Sequence, residues 1–325
     1  MSFQREVDKE GNSTHEHFAS PEQDVAMNID HVLLTRFNLP SLGVESLVRA
    51  QEGWLRDRQI LFEKYCLPAV KSQSIKNFQW IIYFDTQSPQ WLKLRIAELA
   101  RDGDFIAIYR DEVPHATLLE DLRRVTGARR EGLLTTNLDN DDGIASDFVE
   151  RLQKAVQNQS RTAIYVVNGL IQQGNRLYLR RDKVNAFCSV SESWTSPVTC
   201  WSDWHTKLGK KMKVLEVGGT PGWLQVIHTG NVSNRVRGRR VGPGLFRDIF
   251  AVGMADALEP RFLELAKDRI VLNPARATKD ALRVGAKNVV LAFGGKGGLE
   301  RLKVIVARNK RVEDQSNSGR GINAG

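Results

Sequence analysis

The sequence predicts an α/β fold, with a Rossmann-type, mainly parallel sheet and helices flanking it. Two observations favour this fold. From residue 31 to about residue 156, short runs rich in β-branched and aromatic residues alternate with amphipathic segments, and hydrophobic residues make up 41% of the 325-residue chain. Alternating strands and helices are typical of parallel sheets with crossover connections. A hydrophobic fraction of this size is sufficient for a core. We therefore expect one large α/β domain with an appended segment.

The first half of the chain supplies the parallel strands. Each apolar run stops at a turn residue or a polar residue, as strands do at the edge of a sheet. Amphipathic stretches separate the runs, and Phe148, Leu152 and Val156 repeat every four residues after the last one, which predicts a helix. The predicted strands cover residues 31–37, 78–84, 105–109 and 132–136, and the predicted helices cover about 47–65, 90–100 and 118–125.

The pattern changes after residue 162, where we expect a small mixed β extension followed by a helical C-terminal segment. The strand-like runs of this half cover residues 163–168, 176–179, 213–217 and 223–228. From these patterns the domain organisation has four parts. They are a flexible N-terminal arm (1–30), the α/β domain (31–245), a helical, basic C-terminal extension (246–312) and a disordered tail (313–325).

Charge and cysteine content restrict the compartment and the partners. The formal net charge is +9 and the sequence pI is about 9.5, which favours nucleic acid, anionic membranes or phosphate-bearing substrates. The three cysteines Cys66, Cys188 and Cys200 have no close spacing, which suits a reducing compartment. No apolar run approaches the ~18 residues of a membrane span, and the polar start contains no signal-peptide core. We expect a cytoplasmic protein.

An acidic turn, Asp139-Asn140-Asp141-Asp142-Gly143, follows the strand predicted at 132–136. Carboxylates one residue apart can hold one hard cation, and Mn²⁺ or Mg²⁺ there would keep open positions for diphosphate oxygens. The alternative is a solvated turn in which Asp142 or Ser146 caps the next helix. A calcium loop is excluded by spacing, because Gly143 stands where that loop needs a ligand.

Three polar side chains fall at the ends of predicted strands: Arg36, Asp85 and Asp139. Ligands of open α/β sheets bind beyond the carboxyl ends of the strands. These residues therefore have the positions needed to line one cleft.

The run Leu134-Thr135-Thr136-Asn137-Leu138-Asp139-Asn140-Asp141-Asp142 resembles the bacterial rhamnosyltransferase family, whose members are similar to GT-A-type glycosyltransferases. Two further stretches carry the resemblance, Leu33-Leu34-Thr35-Arg36-Phe37 and the run from Trp223 to Ser233. The resemblance spans roughly residues 31 to 235. It implies a GT-A-like fold that binds a nucleotide-sugar donor.

The resemblance also implies roles for individual residues in donor binding. On that basis Asp85 approaches the base or ribose, and Arg36 lies in the same nucleotide pocket. Asp139 faces both metal and ribose, and Asp142 is a further cofactor-binding carboxylate of the turn.

The metal ligands implied by the resemblance are Asp139, Asp141 and His228. His228 follows a predicted strand, and the alternative for it is a partly buried histidine with a backbone partner. His205 is the competing candidate for the same role.

Direct inversion requires a base near the acceptor hydroxyl. Glu192 and Asp203 lie in the segment expected to receive the acceptor, so both are candidate catalytic residues. The alternative for each is a solvated loop carboxylate.

The leading hypothesis is a metal-dependent glycosyltransferase that moves a sugar from a nucleotide-sugar donor to a bacterial glycan or glycolipid. The family name suggests rhamnose, whereas the residues do not identify the sugar. The alternatives are a basic nucleic-acid-binding protein or metal-dependent nuclease, without a recognisable nucleic-acid motif, and a silent scaffold. Apolar and cationic residues between 296 and 311 predict a helix that binds anionic membrane surfaces, the alternative being an ordinary packing helix. Such a helix would place the protein on the inner face of the cytoplasmic membrane.

Overall fold

The computed structural model describes residues 28–40, 53–157, 160–228, 235–250, 254 and 256–282. The expected N-terminal arm, except for residues 28–30, lies outside the described residues. The basic segment 296–311 and the tail 313–325 also lie outside them.

Strands and helices alternate through the first half, as the sequence predicts. The described strands are β1 (Ile29–Arg36), β2 (Gln79–Phe84), β3 (Ile106–Tyr109), β4 (Gly132–Asn137), β5 (Gly143–Ile144), β6 (Thr162–Val166), β7 (Asn168–Gln173), β8 (Arg176–Arg181), β9 (Ser189–Ser193), β10 (Lys213–Val217), β11 (Trp223–Ile227) and β12 (Arg239–Val241). The described α-helices are α1 (Trp54–Leu61), α2 (Leu67–Lys71), α3 (Gln90–Leu99), α4 (His115–Thr126), α5 (Phe148–Ala155) and α6 (Phe262–Lys267).

The first sheet has the order β10-β6-β9-β4-β1-β2-β3. Strands β4, β1, β2 and β3 are parallel neighbours, and β10 is parallel to β6. Strand β9 runs antiparallel to both β4 and β6. The predicted α/β fold class, with a mostly parallel sheet and flanking helices, is confirmed.

An aromatic cluster packs the segment after α1 against the sheet. The ring of Phe62 lies 5.5 Å from Phe37, 5.7 Å from Trp80 and 5.9 Å from Phe105, and all four side chains are buried. Edge-on and tilted aromatic pairs of this kind contribute roughly 0.5–1.5 kcal/mol each beyond their buried area. Phe62 stands in the π-helical turn Phe62–Cys66 that continues α1, so the cluster holds the end of α1 against the face of the sheet.

The second sheet is the expected small mixed extension, with the order β12-β8-β7-β11-β5. The strand predicted at 163–168 is divided between the two sheets, since β6 belongs to the first and β7 to the second. Gly169 on β7 makes room for its partner on β11, since a Cβ atom there would lie 2.0 Å from the ring of Trp223. The run predicted at 176–179 lies in β8, which pairs antiparallel with β7.

Strand β9 has no counterpart in the sequence prediction, because its residues Ser189 to Ser193 are mostly polar. In the structure their polar groups have partners inside the sheet. Ser189 Oγ lies 2.8 Å from Thr136 Oγ1, and Glu192 forms an ion pair with Arg161. A buried strand can be polar when its side chains are hydrogen-bonded.

The acidic turn connects the two sheets, because it lies between β4, a strand of the first sheet, and β5, an edge strand of the second sheet. Strand β5 pairs antiparallel with β11, with Ile144 opposite Trp223. The end of β11 is thereby brought alongside the acidic turn.

Helical conformation extends from α6 through residue 282, which confirms a helical C-terminal segment for the part of the chain that is described. None of the described helices is long and apolar enough to cross a membrane.

Candidate active site at the acidic turn

The backbone of the acidic turn is fixed to the end of β1 and to the residues after it. The amide of Leu138 donates to the carbonyl of Leu34 at 3.0 Å, and Asn140 Nδ2 donates to the carbonyl of Phe37 at 2.7 Å. Both Leu138 and Asn140 are buried. Such contacts hold the side chains of the turn in one arrangement.

Asp141 is the centre of the charged network, and only 5% of its surface is exposed. Its Oδ2 atom lies 2.6 Å from Arg58 Nη1 and 2.8 Å from His228 Nε2. Burial alone would raise the pKa of Asp141, but the hydrogen bond with His228 and the charge of Arg58 lower it below its ordinary value. Asp141 is therefore an anion held by two nitrogen groups.

Arg58 is the main site residue that the sequence prediction missed. It lies on α1, and its Nη1 atom also donates to Asn140 Oδ1 at 3.1 Å. The guanidinium stands 5.3 Å from the ring centroid of Trp54, one helical turn earlier. The one local sequence signal for Arg58 is the tryptophan four positions before it, because residues four apart share a helix face and can pack together.

The two remaining carboxyl groups of the turn, those of Asp139 and Asp142, are disfavoured in their charged forms. Asp142 is buried, and its Oδ1 accepts the amide of Val226 at 2.8 Å. Burial raises the pKa of Asp142 well above its usual range, and Asp141 and Asp139 add to the rise. Asp139 is accessible to solvent, yet desolvation by the surrounding protein and then the charge of Asp141 raise its pKa to about 6. A cation at the turn would relieve this repulsion.

A chain of contacts connects Arg36 to the acidic turn. The guanidinium of Arg36, the last residue of β1, stands 4.0 Å over the ring of Trp201. Trp201 Nε1 donates to Asn137 Oδ1 at 2.7 Å, and Asn137 Nδ2 donates to Asp139 Oδ1 at 3.2 Å. The charge of Arg36 also acts to lower the pKa of Asp139. The structure thus connects Arg36 with Asp139 through Trp201 and Asn137, and their shared role in one cleft stays a prediction.

Asp85 follows β2, beside the end of β1, and its backbone amide donates to Asn38 Oδ1 at 3.0 Å. Its carboxylate accepts the amide of Gln87 at 2.8 Å and so closes its own turn. Asp85 shares the strand-end edge with Arg36, and its role at the nucleotide stays a prediction.

The structure does not place Glu192 with the acidic turn. Glu192 lies on β9 opposite Leu133, near the start of β4, so the length of that strand separates it from Asp139. It is buried, and it accepts hydrogen bonds from Arg161 Nε and from the amides of Val198 and Thr199. A carboxylate enclosed in this way has no open position for an acceptor hydroxyl, so the geometry disfavours its prediction as a base.

Asp203 is partly exposed, two residues after Trp201, and its Oδ2 lies 2.8 Å from Lys211 Nζ. The hydrogen bond with Lys211 is the largest of the effects that lower the pKa of Asp203 to about 2. A weakly basic carboxylate is a poor proton acceptor. His205, the competing candidate for a metal ligand, has no described contact with the acidic turn. Its backbone carbonyl accepts a hydrogen bond from the hydroxyl of Tyr165 at 2.5 Å.

The donor types at the turn fit a divalent cation, because two aspartates and one histidine are common ligands of Mn²⁺ and related ions. Asp141 and His228 already meet, and Asp139 lies close enough for mutual repulsion. Within the described ranges, however, no three or more His, Cys, Asp or Glu side chains are grouped so as to hold a metal. The contact at Asp141 Oδ2 is made by the guanidinium of Arg58.

Several solved structures are similar to this chain at low sequence identity. Staphylococcus aureus TarS 1–349 has a TM-score of 0.37 at 9% identity over 61% of this chain. The mannosyltransferase PcManGT from Pyrobaculum calidifontis, in complex with GDP-Man and Mn²⁺, has a TM-score of 0.38 at 11% identity over 87% of each chain. The matched region spans 60% of the length of the TarS chain.

Comparison of the sequence with known proteins and with protein-family models assigns the chain to a family. No curated protein matches the chain. The sequence model of the family described as "Putative rhamnosyl transferase" matches residues 30–240, which is well over half of the chain and includes both sheets up to β12. The chain belongs to this rhamnosyl transferase family.

Proposed function

We propose that this protein is a glycosyltransferase that moves a sugar from a nucleotide-sugar donor to a bacterial glycan or glycolipid acceptor. The observation that carries the proposal is Asp141, a buried anion at the carboxyl end of β4 that contacts both Arg58 and His228. Family membership supports it, and the family name suggests rhamnose as the sugar.

In sugar transfer the nucleoside diphosphate leaves the donor, and negative charge develops on it. We propose that Asp139, Asp141 and His228 hold Mn²⁺ or Mg²⁺, which when bound supplies a Lewis acid for the diphosphate oxygens. Preorganised cationic groups stabilise such charge without a cost of reorientation during the reaction. Arg58, which contacts Asp141 and Asn140, is the arginine that we assign to this task.

We assign the nucleotide to the edge of the first sheet at which Arg36 and Asp85 follow their strands. Asp142 supports the acidic turn by accepting a hydrogen bond from the amide of Val226. The guanidinium of Arg36 is held flat over Trp201, and planar guanidinium groups suit phosphate and base recognition. Arg36 and Asp139 are linked through Trp201 and Asn137, so nucleotide and metal would be bound by one connected set of side chains.

A thermal-shift panel of UDP, GDP, dTDP, ADP and CDP, each with and without Mn²⁺, tests the proposal. We expect one nucleotide to raise the melting temperature in the presence of Mn²⁺, because a ligand at about 100 times its Kd stabilises the native state by about 2.7 kcal/mol. Asp141→Ala should lose the shift. Asp268→Asn, which alters a buried carboxylate away from the turn, should keep it.

Two results would overturn this function. The absence of a shift with every nucleotide would favour a silent scaffold. Hydrolysis of an oligonucleotide with Mg²⁺, together with no nucleoside diphosphate binding, would favour a nuclease that uses the same aspartates.

We also propose that the protein binds the inner face of the cytoplasmic membrane, where a glycolipid acceptor is anchored. Net charge of +9 and the cationic and apolar residues between 296 and 311 support this placement. Removal of residues 296–325 should weaken co-sedimentation with anionic liposomes. Unchanged co-sedimentation would remove this part of the proposal.

A further inference from the structure

We propose that Arg58 is an exchangeable cation. It holds Asp141 while the donor site is empty, and it moves to the donor diphosphate when a divalent cation takes Asp141. This inference rests on the proposed function, and it names the residue that couples metal binding to nucleotide binding.

The first observation is the atom that Arg58 occupies. Asp141 Oδ2, one of the oxygens predicted to face a metal, lies 2.6 Å from Arg58 Nη1. A divalent cation at this oxygen would stand within a few ångströms of the guanidinium, and like charges at that separation repel strongly in a partly buried site. Metal and guanidinium therefore compete for the same carboxylate oxygen.

The second observation is the charge balance of the turn. Asp139, Asp141 and Asp142 present three carboxyl groups within four positions, and the guanidinium of Arg58 contacts two side chains of this turn, Asp141 at 2.6 Å and Asn140 at 3.1 Å. Arg58 thus performs electrostatically what a bound cation would do. Its loss would leave the turn with more uncompensated negative charge and a stronger attraction for a metal.

The third observation is the spare bonding capacity of Arg58. Both of its described hydrogen bonds, to Asp141 and Asn140, are made by Nη1. Its Nε atom is buried and has no hydrogen-bond partner among the described residues. A guanidinium offers five N–H donors in a planar fork that matches two phosphate oxygens, and the ring of Trp54 supplies a flat surface beside it. Arg58 is therefore equipped to bind a diphosphate.

Exchange of Arg58 makes two binding constants move in opposite directions. Arg58→Met removes the charge and retains much of the length of the side chain. For Mn²⁺ alone, measured by electron paramagnetic resonance without nucleotide, we expect about tenfold tighter binding than in the unaltered protein, equivalent to one decade in the dissociation constant. For the nucleoside diphosphate selected by the thermal-shift panel, measured calorimetrically at saturating Mn²⁺, we expect about tenfold weaker binding.

The matched control is Arg276→Met. Arg276 also forms a short ion pair with a buried aspartate, Asp268 at 2.7 Å, and also has a buried Nε without a partner in the described chain. It lies on the C-terminal helical segment. We expect neither dissociation constant to change in this variant.

Arg58→Lys is a second test in case Arg58→Met fails to fold, because it keeps a cation opposite Asp141. Its compact ammonium lacks the fork, so Mn²⁺ affinity should stay within about threefold while nucleotide affinity falls about tenfold. Melting curves of each variant establish that it is folded.

Unchanged or weaker Mn²⁺ binding by Arg58→Met would overturn the exchange, as would unchanged nucleotide binding by both variants. These failures differ from failure of the proposed function. In that case the unaltered protein itself would bind neither Mn²⁺ nor any nucleoside diphosphate of the panel.

Discussion

Two buried ion pairs of this protein are nearly identical in local geometry. Arg58 lies 2.6 Å from Asp141 at the acidic turn, and Arg276 lies 2.7 Å from Asp268 in the C-terminal segment. Each guanidinium stands just over 5 Å from the centroid of an aromatic ring, at 5.3 Å for Arg58 and 5.1 Å for Arg276. Each also has a buried Nε atom without a partner in the described residues. Geometry of the pair alone does not separate a functional site from a structural one.

The surroundings of the two aspartates differ. Asp268 also accepts the amide of Arg240 at 2.8 Å, so its charge is matched by one arginine and one backbone group. Asp141 contacts His228 and stands between two further carboxyl groups, Asp139 and Asp142, whose pKa values burial and their neighbours raise, so no cation described at the turn fully stabilises their ionised forms. Grouped carboxyl groups with raised pKa values are a reason to expect a cationic ligand, because a cation would favour their ionised forms. The electrostatic surroundings of the aspartate, rather than the geometry of its ion pair, therefore distinguish the acidic turn from the C-terminal pair.

The largest expected effect is on catalysis. Asp141→Ala should lower the kcat/KM for donor turnover by about 100- to 1,000-fold, because it removes the group that organises cations at the departing diphosphate. Asp268→Asn should leave kcat/KM within about twofold. A coupled assay of nucleoside diphosphate release with Mn²⁺ measures both. Full activity of Asp141→Ala would show that the two pairs are alike and that the turn is not the catalytic site.

A second prediction concerns stability without metal. Removal of one partner of a buried pair leaves an uncompensated charge, so Arg58→Met and Arg276→Met should each lose about 3 kcal/mol of unfolding free energy. Mn²⁺ should restore much of the loss in Arg58→Met alone, because a cation can replace the guanidinium at the turn. Urea unfolding with and without Mn²⁺ measures this. Equal recovery in both variants would contradict the difference in charge balance.

The sequence predicts the acidic turn but not the arginine that contacts it, and the reason is physical. Strands such as β1 and β2 and the helix α3 were predicted because their periodicity is local. Asp139, Asp141 and His228 were accessible to prediction because strand ends and a family motif mark them. Arg58 lies more than eighty residues before Asp141, on an ordinary amphipathic helix, and only the packing of that helix on the sheet brings the two together.

Glu192 illustrates the opposite limit. Its run of serines predicts a loop, and a loop carboxylate in the acceptor segment is a reasonable candidate base. The interior of the sheet supplies hydrogen bonds to this polar strand, and Arg161 neutralises the carboxylate. Whether a polar run is solvated or buried depends on partners distant in the chain, which sequence periodicity does not contain.

The link from Arg36 to the acidic turn gives a prediction of intermediate size. Trp201→Phe keeps an aromatic face under Arg36 but loses the N–H that binds Asn137, and through it the orientation of Asp139. We expect about tenfold weaker nucleoside diphosphate binding in the presence of Mn²⁺, corresponding to the loss of one hydrogen bond in a charged network. The control is Trp204→Phe, since Trp204 is 71% exposed, and it should bind normally. Equal affinity of both variants, measured calorimetrically, would exclude the link.

The smallest expected effect is that of Asp203→Asn. Lys211 and Lys207 keep the pKa of Asp203 near 2, so the carboxylate accepts protons poorly between pH 5 and 9. We expect kcat to change less than about threefold, with the same pH profile, whereas loss of a true general base costs typically 100- to 10,000-fold. The pair with Lys211 contributes stability that is present above about pH 4 and is lost as the pH falls through about 2, because the folded pKa lies below the unfolded one. A large fall in kcat, together with loss of the acidic limb of the profile, would instead identify Asp203 as the base, and would show that its contacts with lysine are broken when the acceptor binds.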